Sequence, residues 1–130
     1  MPFQQDTSAG FLNVIARGQI TGEDLLRLHA ELSHEAGRQG KCLIDFTEAD
    51  VSKLTGPIVR ELSHLPPRFE RLAIVAKPGL AYGLGRTYQT TADRSRTIGV
   101  FMTVENATSW LTQRARSGGP PVDTDVPARQ

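Results

Sequence analysis

The 130-residue sequence predicts an α/β fold: a mostly parallel or mixed central sheet of four to five strands with about four helices. Three observations predict it. Short runs rich in β-branched and aromatic residues alternate along the chain with segments whose apolar residues recur every three or four positions. Alternation of this kind implies parallel strands joined by crossover helices. The length is that of one domain with one real core, expected over residues 1–116. The rest (117–130, Ser-Gly-Gly-Pro-Pro and a polar end) reads as a disordered tail.

Taken in order, Phe3–Gln5 is a short partner strand and residues 6–10 are a turn. Phe11–Arg17 reads as a strand ended by Gly18. Thr21 is a natural N-cap, and Glu23 and Asp24 suit a first turn. Leu25, Leu28, Leu32 and Ala36 then form one stripe running to Gly37. Lys41–Phe46 is a buried strand. Thr55-Gly56-Pro57 opens a second helix with Ile58, Leu62 and Leu65 inward, stopped by Pro66-Pro67. Arg71–Ala76 is the most apolar strand. Pro78 opens a third helix with Leu80, Leu84, Tyr88 and Ala92 on one face. Ile98–Thr103 is a strand, and Thr103 caps a last helix with Val104, Ala107, Leu111 and Ala115 inward. In open parallel sheets ligands sit beyond the carboxyl ends of the strands, which here means Thr47–Gly56 and Lys77–Gly85.

Composition excludes several classes. Lysine plus arginine total 15 against 14 acids, for a net charge of +1, so the strong basic excess of a nucleic-acid binder is missing. The balance is uneven: residues 68–96 carry six bases (Arg68, Arg71, Lys77, Arg86, Arg94, Arg96) and two acids, an asymmetry that either steers an anionic partner or is an ordinary solvated face. The longest purely apolar run, Leu72–Ala76, is far too short to span a bilayer. No signal peptide is visible, so a cytoplasmic protein without stable membrane insertion is expected. The single cysteine, Cys42, leaves no internal disulfide or cysteine zinc site and reads as a buried thiol.

Motifs for chemistry are sparse. His29 and His34 lie five apart on one helix, a spacing that does not align them, and His64 is remote, so no metal is expected. Walker, Gly-x-Ser-x-Gly and His-Glu-x-x-His patterns are absent, and no cofactor is expected. Asp45, Glu48 and Asp50 could serve acid–base work or magnesium, or simply solvate a loop. Gly83-Leu84-Gly85-Arg86 is either a weak phosphate loop, with Tyr82, Arg86 and Arg94 as a polar rim, or a close-packing point of the third helix. An enzyme would need Asp45, Asp50, Tyr82 and Arg86 to converge in one cleft. Ser52, Thr55 and Gly56 offer hydroxyls at a helix start, as caps or as phosphorylation sites.

Several segments carry a resemblance: Phe11–Thr21; Cys42-Leu43-Ile44-Asp45-Phe46 followed ten residues later by Gly56; Arg71–Val75; and Val100-Phe101-Met102-Thr103 with Ala107, Trp110 and Leu111. Over residues 10–113 the chain resembles the STAS domains, in particular the SpoIIAA-like group of small bacterial proteins, and is similar to the lipid-binding lobe of the SEC14-like (CRAL-TRIO) fold. In anti-sigma factor antagonists of this fold an Asp-Ser-Ser-Gly loop starts the second helix, and its second serine is phosphorylated by a partner kinase. Thr55 and Gly56 match the acceptor and glycine, whereas Lys53 and Leu54 stand in place of the Asp and first Ser. The resemblance implies a non-enzymatic regulatory or protein-interaction module, a homodimer or small homo-oligomer in form, docking another protein through Ser52–Val59 and the helix start near Gly79. The alternative is a carrier or sensor of a small apolar or anionic, lipid-like ligand in a pocket between the second and third helices, walled by Leu54, Ile58, Leu80, Tyr82 and Arg86.

Overall fold

A computed structural model describes residues 3–7, 10–65, 69–92 and 96–113, the side chains of 35–39 excepted. Ala36, Pro66-Pro67, Arg94 and the tail from 117 onward fall outside these described parts. Five strands and four helices follow one another as β1 (Phe3–Asp6), β2 (Leu12–Gln19), α1 (Gly22–Gln39), β3 (Lys41–Asp50), α2 (Gly56–Leu62), β4 (Arg71–Val75), α3 (Leu80–Thr91), β5 (Ile98–Phe101) and α4 (Val104–Thr112).

The strands lie in the sheet in chain order, β1-β2-β3-β4-β5. β1 is antiparallel to β2, with Phe3 opposite Ala16, and every other pair is parallel. Right-handed crossovers between successive neighbours must carry their helices over the same face. The core shows this division. Leu12, Val14, Cys42, Ile44, Leu72, Ile74, Ile98 and Val100 face α1–α3. Leu43, Ala73, Val75 and Phe101 point the other way, onto Ala107, Trp110 and Leu111 of α4. Alternate residues of the central strands are therefore buried on both faces, which is why these strands read as unbroken apolar runs. Gly99 belongs to the α4 face: a Cβ there would stand 2.7 Å from the Phe101 ring and 3.1 Å from Trp110.

Local chemistry sets the helix ends. Thr21 and Asp24 form a reciprocal capping box, Asp24 N–H donating to Thr21 Oγ1 (3.1 Å) and Thr21 N–H to Asp24 Oδ2 (2.9 Å). Thr55 and Thr103 cap α2 and α4 through Ile58 N–H and Asn106 N–H. α3 has no side-chain cap and starts from Gly79 at φ 108°, a region open to glycine. α1 runs through Gly37 to Gln39 and is followed by Gly40 at φ 73°.

Several boundaries differ from the sequence reading. β2 extends past Gly18 to Gln19, and β3 past Phe46 to Asp50, because Arg17, Gly18 and Gln19 pair with Glu48, Ala49 and Asp50 beyond a register shift at Ile15/Arg17. Backbone pairing, with an Arg17–Glu48 ion pair at 3.0 Å, sustains strand where apolar content has stopped. α2 ends at Leu62 rather than at the prolines, and Val59, not Ile58, joins Leu62 in the buried face. β5 stops at Phe101, since Thr103 is committed as the α4 cap.

Candidate functional site

A sheet in chain order has no point where strand order reverses, so the crevice that such a reversal opens at the strand ends is not formed. Space instead lies between the sheet and its three-helix layer. α2 has 7 residues, between an α1 of 18 and an α3 of 12. At about 1.5 Å per residue it spans roughly 10 Å, too little to cover the sheet between its neighbours. The result is a cavity of about 70 Å³ bounded by α1 (Leu25, Leu28, His29, Leu32), the Val51–Leu54 turn, α2 (Val59, Leu62), Phe69, α3 (Ala81, Leu84, Gly85, Tyr88) and Arg96, with Ile44, Phe46, Leu72 and Ile74 as its floor. About 10–15 Å³ suffices for one water, so this cavity exceeds a packing gap. Gly85, on the cavity wall, lets α3 approach the sheet closely: a Cβ there would meet Val100 Cγ1 at 3.0 Å.

One part of the wall is polar. His29, Tyr88 and Arg96 are each at most 9% exposed. His29 Nδ1 lies 2.8 Å from the Leu25 carbonyl oxygen and Nε2 3.0 Å from Tyr88 Oη. A carbonyl accepts only, so Nδ1 carries the proton and Nε2 accepts from the tyrosine. Tyr88 Oη in turn accepts from Arg96 at 3.5 Å, and the guanidinium lies 5.7 Å from the centre of the Tyr88 ring. Arg96 also donates to the carbonyls of Ser63 (2.9 Å) and Leu65 (3.4 Å), placing a cation at the C-terminal end of α2. Burial, and then the Arg96 charge, hold the His29 pKa below its ordinary value. Burial pushes the Tyr88 hydroxyl up. The trio is thus a neutral imidazole, a neutral phenol and a cation, hydrogen-bonded in one direction.

No family model and no curated protein matches the chain. Among solved structures it is similar to an uncharacterised protein of the DUF3478 family with a SpoIIAA-like fold from Shewanella loihica PV-4, at TM-score 0.52 and 22% identity over 84% of this chain and 91% of that one. The fold is SpoIIAA-like. The resemblance read from Cys42–Phe46, Arg71–Val75 and Val100–Thr103 therefore holds at the level of architecture, the mixed five-stranded sheet with four helices.

Within this SpoIIAA-like frame the residues singled out from sequence disperse. Of the five expected to wall a pocket, Leu54 lines the cavity. Ile58 lies in a separate surface groove with Gly22, Leu26, Glu61, Leu62 and Leu65. Leu80 is exposed at 55%; Tyr82 and Arg86 are half-buried on α3 and are not among the residues bounding the cavity. Gly85 serves the close approach of α3 to the sheet, and Gly83 faces open space. Asp45 and Asp50 both lie in β3 rather than flanking a loop. Asp45 accepts from Thr47 N–H and Oγ1, and Asp50 from Ser52 N–H; the Ser52 side chain and then its N–H hold the Asp50 carboxyl below its usual range. Among the described residues no three His, Cys, Asp or Glu side chains gather as a metal site, and no helix is long and apolar enough to cross a membrane. Cys42 is buried, and burial pushes its thiol pKa up. Thr55 is exposed, its Oγ1 accepting from Ile58 N–H at 3.4 Å.

Sequence reasoning missed Arg96 and the use of His29. His29 had a signal: it lies four after Leu25 and three before Leu32, on the flank of the apolar stripe. Arg96 had none, because its burial depends on the α2 carbonyls that the fold brings within reach. In the basic stretch 68–96, Arg71 joins Arg96 in a structural role. Arg71 donates to the Trp110 and Gln113 carbonyls at the end of α4 and lies 5.6 Å from the Trp110 ring centre, so two of its bases cap helix ends.

Proposed function

We propose that this SpoIIAA-like chain is a non-catalytic binding module that carries or senses a small, largely apolar molecule held between the sheet and α1–α3. One observation carries the reading: an aliphatic cavity with a single hydrogen-bonded polar corner, the composition of a ligand site rather than of a reaction centre. The volume suits a compact ligand, not a long-chain lipid. Native mass spectrometry of the chain purified gently from its own cells tests this. A retained small-molecule mass that disappears in Ala81→Leu, which fills the cavity from α3, is the expected result. A bare chain whose melting temperature rises in Ala81→Leu would mean that the cavity is a void which packing failed to fill, and the reading would fall.

A second reading, docking of another protein, is favoured by a different surface. Leu26 is 52% exposed and adjoins Ile58 and Leu65 in the groove between α1 and α2, next to the exposed Thr55. In this reading Ser52–Val59 and the start of α3 near Gly79 form the contact, and phosphate on Thr55 switches it. A native pull-down that recovers only the chain itself, together with an intact mass lacking phosphate, would count against it.

A further inference from the structure

We infer that the groove between α1 and α2 is a homodimer contact, in which two copies of the chain meet about a two-fold axis and each sets Leu26 into the other's groove. This dimer is independent of the cavity, and it gives the groove of the docking reading to a second copy of the chain.

The helix pair sets the shape. α1 and α2 come closest at Gly22, where a Cβ would meet Ile58 Cγ2 at 3.3 Å. The groove opens beside this approach, walled by Leu26, Ile58, Leu62 and Leu65 with Glu61 as its charged member. α2 is 7 residues long, about 10 Å, so the groove is too short to bed a partner helix along its length. It takes a single protruding side chain. Among the described residues the exposed large apolar side chains are Leu26, Leu80 and Val104. Leu80 and Val104 open α3 and α4 and do not border the groove. Leu26 does, so knob and hole share one patch. A two-fold axis through that patch seats both leucines at once. That is the self-complementarity of an isologous contact, which closes at two copies.

Charge orients the pair. Arg27 follows Leu26 and is exposed, and Glu61 is exposed at the groove's rim. Among the described residues neither forms a salt bridge. Seating Leu26 in the second copy carries Arg27 to that copy's Glu61, and the axis makes the contact twice. Exposed pairs of this kind add little affinity but select the register.

Sedimentation velocity of the full chain over about 1 μM to 1 mM tests the dimer. The native chain should pass from monomer to dimer, with no larger species. Leu26→Asp should weaken self-association about thirtyfold or more, the loss of a central apolar anchor, and an unchanged melting temperature would show the fold intact. Arg27→Glu and Glu61→Arg, both at exposed positions, should each weaken it about fivefold, and the two combined should restore it. Undiminished association in folded Leu26→Asp, species beyond a dimer, or a double variant no better than the singles would each overturn this contact. A native chain that stays monomeric yet captures a different protein, lost in Leu26→Asp, would overturn the second copy and keep the docking reading. A monomer that captures nothing would overturn both.

Discussion

His29 is held as a neutral imidazole by what surrounds it. The Leu25 carbonyl accepts a hydrogen bond from its Nδ1–H, Tyr88 on α3 donates one to Nε2, and Arg96 brings a positive charge from the approach to β5. Beneath them the Cys42 thiol, its pKa pushed up by burial, stays neutral, as does Tyr88. Protonating His29 inside the fold is therefore harder than in the unfolded chain, where the ordinary value near 6.5 applies. Between that value and the depressed folded one the unfolded state binds more protons, so stability is full above pH 6.5 and falls as the pH drops below it. The urea midpoint should decline between pH 7.5 and 5.5 in the native sequence and decline less in His29→Gln. An identical decline in both would show that the imidazole is not the group responsible. Asp24 and Asp50, whose carboxyls are held low by hydrogen bonds to Thr21 and Ser52, lose their contribution only further down, below about pH 4.

At the scale of the element, α3 carries two glycines two residues apart with opposite demands. Gly83 has nothing within 4 Å of a would-be Cβ, whereas Gly85 would press one against Val100 and Ile74 at 3.0 and 3.5 Å. Alanine at 83 should stabilise the protein by up to about 1 kcal/mol through helix propensity. Alanine at 85 gains the same propensity but meets Val100 Cγ1 at 3.0 Å, an overpacking cost of about 1–3 kcal/mol that should leave the variant less stable than the native protein by up to about 2 kcal/mol. Equilibrium urea unfolding of the two variants checks both signs. The same helix shows how far sequence reading reaches. Its stripe was legible because Leu84 and Tyr88 follow a helical period, and the central strands were legible because burial on both faces leaves continuous apolar runs. The end of β3 was not: Thr47–Asp50 is polar and is strand only because Arg17–Gln19 lies alongside. Of the candidate site, Leu54 alone was named as a wall. A cavity is the volume left by the lengths and approaches of several helices, and no single segment encodes it. Arg96 escaped for the same reason, its partners being carbonyls at the end of another helix.

Over the whole molecule, cover decides stability. β3 and β4 are flanked by strands on both sides and by helices on both faces, whereas β1 is an edge strand whose last three residues are exposed. Hydrogen exchange should release the β1 amides first and retain those of Leu43, Ile44, Ala73 and Ile74 longest, the order expected when openings near the edge cost least. Uniform protection across the sheet would contradict this picture. Strand order has a further consequence, for synthesis. Each strand pairs with the one before it, so a chain leaving the ribosome can lay down β2, β3, β4 and β5 in turn without holding an early strand open for a late partner. Only the α4 face has to wait. Until residues 104–112 emerge, Leu43, Val75 and Phe101 have no helix over them, and a nascent chain arrested after β5 would present them to the first chaperone or neighbouring chain that it meets.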